Sequence, residues 1–459
     1  MRGAASGRPP PSPMDSSGRP RPSVLAAFIG PCLPLAGIGL PLVIHLPTYY
    51  ARDLGLPLAQ VGLAFLLVRL VDIGVDPVLG ALMDRTGGRF GRFRPWLVAS
   101  APVLMVASLL LFMARPGVSA AYLWGALVIA YLGFSMGSLS QQAWASALSP
   151  DYDQRSRIYG WWQTGNVLGM LMILVLPPAV EIALKGSRAE GVQAMGWFIL
   201  ILLPLTIGFA VWRVGEPPPE SGVGRLPRIG DYLQLVRNRS IARLMLADLL
   251  MGWAPGITGA LFLFYFDQVK RVPETEANVL LLIYFVAAMA GAPLWSWLAV
   301  RIGKHRALAC NALAVLFSLL LVMAVPMSSA PVTVLVMALA GLPYSGASLL
   351  LRAMLADVGD ELRLATGVDR TGLLYALLTS TTKVGSALAL TTFVMLEALG
   401  FQAQARHNSP EAVAGLQAMF VGLPALLSLL SAGVILGYRL DSHRHAEIRI
   451  ALARERERP

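Results

Sequence analysis

The chain has 459 residues, of which 56% are hydrophobic and only 14% are charged, and its mean hydropathy is +0.63. This composition excludes a soluble globular protein, because it supplies far more apolar surface than one soluble core can bury. The net charge of +11 does not indicate a nucleic-acid partner, since the basic residues fall in short segments between long apolar stretches.

The apolar stretches are 20–30 residues long, enough for each to cross a hydrocarbon core of about 30 Å. They predict an all-α membrane protein with twelve transmembrane helices in two six-helix halves. The predicted spans are 22–50, 57–83, 94–114, 119–148, 156–182, 192–214, 240–268, 275–300, 305–326, 330–356, 366–397 and 411–438. The predicted regions are a disordered tail (1–21), a first half (22–214), a central loop (215–239), a second half (240–438) and a basic tail (439–459).

The basic residues are distributed unevenly between the two sides of these spans. With the amino terminus placed inside, 28 of the 37 Lys and Arg lie on the cytoplasmic side, 7 on the other side, and two within spans. By the positive-inside rule, both termini and the central loop are predicted to be cytoplasmic. We expect a multi-pass monomer in the inner or plasma membrane, with the lipid bilayer as its surroundings.

The second predicted span contains three charged residues, Arg69, Asp72 and Asp76. Insertion of a charge at the centre of a bilayer costs about 2.5–3.5 kcal/mol. At 100° per residue the three side chains fall on one helix face. Two carboxylates one turn apart form a candidate site for a small cation, and the alternative is a cluster that only holds helices together.

A short basic turn follows this span. It carries Gly80, Asp84, Arg85, Gly91, Arg94 and Pro95. A weaker copy, with a Gly-containing helix end before Arg301, Gly303 and Lys304, follows the eighth span. Two similar six-span halves resemble the major facilitator superfamily, and the first turn resembles its loop motif. The resemblance implies that Asp84 and Arg85 contact neighbouring helix ends in one conformation; the alternative is a tight charged loop.

The segment from Arg69 to Gly80, followed by Gly91-Arg-Phe-Arg-Pro-Trp, resembles the melibiose-permease family of glycoside–pentoside–hexuronide:cation symporters. Further similar segments include Ile257-Thr-Gly and Lys383-Val-Gly, so the resemblance covers nearly all of 22–440. It implies that Asp72 and Asp76 bind a coupling cation, sodium or a proton, and that Arg69 and Lys383 balance their charge. The asparagine and the hydroxyl expected nearby are replaced by Val75 and Gly137, which favours a proton.

The sequence departs from the family at the residues that hold the sugar. The positions of two acids and an arginine are occupied by Ala36, Ser140 and Gln163, while the tryptophan of the fourth span is retained as Trp144. These four are candidate substrate contacts. The substrate is therefore predicted to be a sugar-like or glycoside-like small solute, with a lysophospholipid or other amphiphile as the alternative.

Other classes of protein fit the sequence less well. It has no metal-spaced cluster of His, Asp and Glu and no G-x-S-x-G motif, so we predict neither an enzyme nor a cofactor. A receptor without transport activity would have no need for the charges at Arg69, Asp72, Asp76 and Lys383. Three other acids near span ends are expected to face water: Asp248, Asp267 and Glu397.

Overall fold

The computed structural model of the protein describes residues 21–86, 90–148, 152–216, 230, 235–327, 329–366, 371–438 and 447–448. The first half contains α1 (Pro22–Ile29), α2 (Cys32–Val43), α3 (His45–Arg52), α4 (Leu58–Arg85), α5 (Arg94–Phe112), α6 (Ala120–Ala147), α7 (Tyr152–Pro178) with a π-helical turn (Ala179–Ala183), and α8 (Arg188–Arg213). The second half contains α9 (Arg239–Gln268), α10 (Glu274–Ile302), α11 (Lys304–Ala324), α12 (Ala330–Gly341), α13 (Tyr344–Thr366), α14 (Thr371–Ala389), α15 (Thr391–Ala398), α16 (Pro410–Gln417) with a π-helical turn (Ala418–Gly422), and α17 (Leu423–Leu436). Most of the predicted tails (1–21, 439–459) and of the predicted loop (215–239) lies outside the described residues.

Within the described ranges, eleven helical segments are long and apolar enough to cross a membrane. The predicted eleventh span, 366–397, corresponds to α14 and α15, which are separated at Leu390. The predicted first span is likewise divided into α1, α2 and α3. Pro31 follows α1, and Pro41 and Pro47 lie on either side of the break at Ile44. Proline favours such breaks because it lacks the N–H that continues a helix.

A break inside the membrane leaves backbone groups that need partners. Between α12 and α13 these partners are side chains of the neighbouring helices. Trp295 Nε1 donates to Leu342 O at 2.9 Å, and Asn311 Nδ2 donates to Pro343 O at 2.8 Å. The two bonds fasten the break to α10 and α11.

The two halves meet where α4 packs against α14 and α15 and where α7 packs against α10. We call the end of the bundle that carries the turn between α4 and α5 the basic end, and the end that carries residues 53–57 the opposite end. Glu397 of α15, expected to face water, accepts a hydrogen bond from the backbone N–H of Ala59 in the first turn of α4. The second half therefore holds the start of the helix that carries Asp72 and Asp76.

Candidate functional site

The charged residues of the second predicted span meet Lys383 at the interface between the halves. Lys383 Nζ lies 2.9 Å from Asp72 Oδ2 and also donates to Asp76 Oδ2. Arg69 Nη1 lies 3.9 Å from Asp72 Oδ2, and its guanidinium stacks over the Tyr131 ring at 4.6 Å from the centroid. The structure thus brings all four predicted charges into one cluster.

The cluster is almost sealed from solvent on the side of Asp72, which is 3% exposed. Its two carboxylates and two basic groups sum to zero charge, which limits the cost of placing them in a low-dielectric interior. Among the described residues, Asp76 Oδ1 has no hydrogen-bond partner. That oxygen can accept a proton or ligate a cation without first losing a protein contact.

A serine hydroxyl that the sequence reasoning missed also contacts the acids. Ser135 Oγ on α6 donates to Asp72 Oδ1 at 2.8 Å. Gly137 has no hydroxyl, but Ser135, two residues earlier on the same helix, supplies one to Asp72. The sequence shows Ser135 in this span, but it does not show that this side of α6 faces α4.

A cavity of about 530 Å³ lies between the halves, and Thr382, the residue before Lys383, lines its wall. Residues from α2, α6 and α7 line it on one side and residues from α9 to α14, Phe420 and α17 line it on the other. Most of its wall is apolar, and eleven of the described lining residues are polar: Asn166, Asp248, Thr258, Tyr284, Ser318, Tyr344, Ser348, Arg352, Thr382, Ser386 and Ser428. A cavity with mostly apolar walls and polar groups at defined positions is the usual form of a small-molecule site.

The four predicted substrate contacts occupy different environments. Ala36 lines the cavity. Ser140 is fully buried and donates to Gly137 O at 3.0 Å within its own helix. Trp144 is fully buried, with its ring edge-on to Phe28.

Gln163 is exposed and, like Ser140 and Trp144, is absent from the cavity wall in the described residues. In this conformation Ala36 alone of the four predicted contacts could touch a guest in the cavity. The role of Ala36 as a substrate contact stays a prediction.

Asp248 was expected to face water because it lies near a helix end, but the structure buries it. It is 7% exposed, lines the cavity from α9, and its Oδ2 accepts from Thr381 Oγ1 at 2.7 Å and Thr382 Oγ1 at 2.8 Å. Arg352 lines the same cavity from α13. The pair of threonines directly before Lys383 was the signal in the sequence that could have located this group.

The predicted loop motif is fastened by Glu216, a residue beyond α8. Its carboxylate accepts the backbone N–H groups of Arg92, Phe93 and Arg94 at 2.6, 2.9 and 3.1 Å. A carboxylate at the start of a helix satisfies free N–H groups and matches the helix dipole. Gly91 has a φ of +91°, and a Cβ there would overlap Glu216, so glycine is required.

The other motif residues surround this cap. Pro95 lies in the first turn of α5, and the Arg94 guanidinium donates to Val211 O on α8. Gly80 has open space beside it. Asp84 and Arg85 end α4, but their side chains lie outside the described residues, so their predicted contacts stay a prediction.

At the opposite end, five charged residues join the halves. Arg188 contacts Asp53 and Glu274, each at 2.6 Å, and Arg52 contacts Asp267 at 2.6 Å and Glu274 at 3.7 Å. Asp267 was expected to face water and instead pairs with Arg52. We call these five residues the opposite-end network; it closes the space between the halves at that end.

The family is identified from a match over most of the sequence rather than from the site residues. Residues 27–442 match the family described as MFS/sugar transport protein. The chain belongs to this family. The predicted family and the prediction of a transporter rather than an enzyme are confirmed.

Curated relatives of this family member include carriers of different solutes. It is 25% identical over 413 residues to a glucuronide carrier protein homolog of Escherichia coli (strain K12), covering 88% of this chain and 90% of the relative. It is 24% identical over 421 residues to the sphingosine-1-phosphate transporter MFSD2B of Mus musculus, covering 83% and 82%. The protein is therefore a multi-pass membrane transporter with both sugar and lipid carriers among its relatives.

Solved structures of low sequence identity confirm the predicted fold. A variant of the nucleoside transporter NupG superposes with a TM-score of 0.67 at 12% identity, covering 90% of this chain and 99% of that one. A bacterial homolog of the lysosomal transporter Spinster, solved facing inward and unoccupied, gives 0.66 at 14% identity, covering 92% and 98%. The all-helical major facilitator fold of two six-helix halves is shared with these proteins.

Proposed function

We propose that the protein is a cation-coupled symporter of a sugar-like or glycoside-like small solute, working by alternating access. The observation that carries this proposal is the contact of Lys383, in the second half, with both Asp72 and Asp76, in the first. A cation at the two acids competes with Lys383 for their charge. Its binding therefore changes the attraction between the halves, which is the differential interaction that coupling requires.

The proposed coupling ion is a proton, and no further cofactor takes part. Sodium needs several oxygen ligands, whereas a carboxylate needs one proton and Asp76 Oδ1 is available for it. Val75 contributes no oxygen, and Ser135 contributes one. A sodium site would have to be completed by water or by the substrate.

Reconstituted transport tests this function. Proteoliposomes containing the full chain should take up solute against its gradient when a proton gradient is imposed, and Asp72→Asn or Asp76→Asn should abolish this accumulation while both variants insert normally. Accumulation driven by sodium at constant pH would assign the other ion. Unchanged accumulation by both Asn variants would overturn the cation role of the two acids.

We also propose the orientation in the membrane. The basic end faces the cytoplasm, so both termini are cytoplasmic, and the protein works as a monomer in the inner or plasma membrane without a nucleic-acid partner. The support is the concentration of Lys and Arg at that end. Reporter fusions at residue 225 and at the carboxyl terminus should both report cytoplasm; an external signal at either point would contradict the orientation.

The second candidate function is cation-coupled transport of a lysophospholipid or another amphiphile on the same fold. The largely apolar cavity wall favours it, as does the similarity to a sphingosine-1-phosphate transporter. A thermal-shift comparison of sugars with lysolipids distinguishes the two candidates, because a ligand stabilises the state that it binds.

A further inference from the structure

Along α9 the cavity wall has a polar level and an apolar level. One face of α9 contributes Asp248, Gly252, Pro255, Phe262 and Phe266 to its wall. Phe262 lies about 21 Å along the helix from Asp248, at 1.5 Å per residue. A guest that fills the cavity therefore meets a carboxylate nearer the basic end and aromatic rings nearer the opposite end.

Among the described residues of the cavity wall, the polar level contains one acid and one base. Asp248 and Arg352 both line the cavity, and their charges attract each other. The combined charge of the pair is zero, so a head with a single net charge would be attracted by one of the two groups and repelled by the other. A neutral head with several hydroxyls satisfies both groups, because a hydroxyl donates to a carboxylate and accepts from a guanidinium.

The apolar level suits a hydrophobic substituent. Phe262 and Phe266 stack with ring centroids 4.5 Å apart, and Phe420 of the cavity wall stacks on Tyr265 at 4.0 Å. Apolar atoms buried against such rings are removed from water, which favours binding. The geometry favours an elongated guest with one polar and one apolar end.

We infer that Asp248 and Arg352, supported by Thr382, form a head-group subsite in the second half. It takes the neutral, hydroxylated head of a glycoside that carries an apolar aglycone. This inference rests on the proposed function and deepens it. It moves polar recognition from the first half, where Ala36, Ser140 and Gln163 have replaced charged residues, to α9, α13 and α14.

The subsite is also linked to the cation site through consecutive residues of α14. Thr382, which donates to Asp248, precedes Lys383, which contacts Asp72 and Asp76. The head group and the cation therefore act on adjacent residues of α14. Binding of the head at Asp248 moves or fixes the segment of backbone that carries Lys383.

A matched set of probes with one tail and two heads tests the subsite. Hexyl β-D-glucoside and hexyl phosphate are titrated against the full chain in nanodiscs, and Kd is measured by intrinsic fluorescence or thermal shift. The wild type should bind the glucoside more tightly than the phosphate. Asp248→Asn should weaken glucoside binding about tenfold, the usual effect of losing a hydrogen bond to a charged group.

The same variant should gain affinity for hexyl phosphate, because the negative charge of Asp248 no longer repels the phosphate. Arg352→Gln should weaken both probes. Glu411→Gln, an exposed acid on α16, is the control and should leave both Kd values unchanged. A reversal of head preference in Asp248→Asn cannot arise from partial unfolding.

Two results would overturn the subsite. One is glucoside binding that is equal in the wild type, Asp248→Asn and Arg352→Gln; the other is tighter wild-type binding of hexyl phosphate than of hexyl glucoside. Either can occur while proton-driven accumulation still depends on Asp72 and Asp76. Loss of that dependence with an intact glucoside response would instead overturn the proposed coupling.

Discussion

At the scale of single residues, Lys383 is held by acids that belong to the other half. Its Nζ contacts Asp72 and Asp76, so its removal changes both the charge balance of the cluster and the bond between the halves. Breaking a buried ion pair costs about 3–5 kcal/mol, because the partner charge stays buried.

A double-mutant cycle on Lys383 and Asp76 measures this contact. Lys383→Ala should lower Tm by leaving two carboxylates against Arg69 alone, and Lys383→Ala with Asp76→Asn should be more stable than the sum of the single changes predicts. Coupled transport should be absent in all three variants. Strictly additive changes in thermal stability would show that Lys383 does not contact Asp76.

Ser135 provides a second prediction at this scale. Removal of its hydroxyl takes away a hydrogen bond to the Asp72 carboxylate, so the carboxylate is held less firmly at the cation site. Ser135→Ala should lower the initial rate of proton-driven uptake several-fold. Ser108→Ala, also a fully buried serine, is the control, and an unchanged uptake rate in Ser135→Ala would separate this hydroxyl from cation binding.

At the scale of elements, α14 joins the two candidate sites. It carries Lys383 toward α4 and Thr381 and Thr382 toward α9. Close approach to α9 is made possible by Gly385, because a Cβ at that position would lie 2.7 Å from Leu249 O. Small residues at such crossings are the usual means of tight packing between membrane helices.

Gly385→Ala should therefore push α14 away from α9. We expect a loss of about 1–3 kcal/mol of stability from overpacking and a lower transport rate, because Thr382 and Lys383 would both be displaced. The measurements are Tm and initial uptake rate. Gly433→Ala on α17, where a Cβ meets open space, is the matched control, and equal behaviour of the two variants would contradict the tight crossing.

At the scale of the whole molecule, the opposite-end network holds the halves together on one side of the cavity. Alternating access requires these contacts to open. Arg188 contacts one acid from each half, Asp53 and Glu274. Its loss should shift the conformational equilibrium toward opening at that end.

Spin labels at residues 115 and 406, both exposed on loops of the opposite end, report this opening. In Arg188→Gln the distance distribution between the labels should shift to longer values relative to the wild type. Glu276→Gln, an exposed acid in the first turn of α10, should leave the distribution unchanged. An identical distribution in Arg188→Gln would show that the network does not control closure.

The fold and the charge cluster could be predicted from the sequence because their signals are local or spaced by a helical period. Asp72 and Asp76 share a face by their spacing, and their apolar surroundings make them conspicuous. The partner Lys383 came from family resemblance, since spacing along the chain cannot say which helices touch.

The cavity wall was predicted less well, because it depends on how each helix is rotated about its axis. Each residue turns the helix by 100°, so Asn166, three residues after Gln163, points about 60° away from it; Asn166 lines the cavity and Gln163 is exposed. Trp144 was a candidate because an aromatic ring suits a sugar, yet its ring packs against Phe28. Asp248 was assigned to water because its threonine partners lie more than a hundred residues away.

Because Glu216 is fastened to the start of α5, the covalent connection between the halves is anchored to the first half at Glu216, beyond the end of α8. A tether turns the meeting of two parts into an intramolecular event, and a shorter tether raises their effective concentration. The interface between the halves can then consist of individually weak contacts that open in turn without letting the halves separate. Gly91 leaves room for the Glu216 carboxylate, and so it helps the halves stay together even when the contacts between them are weak.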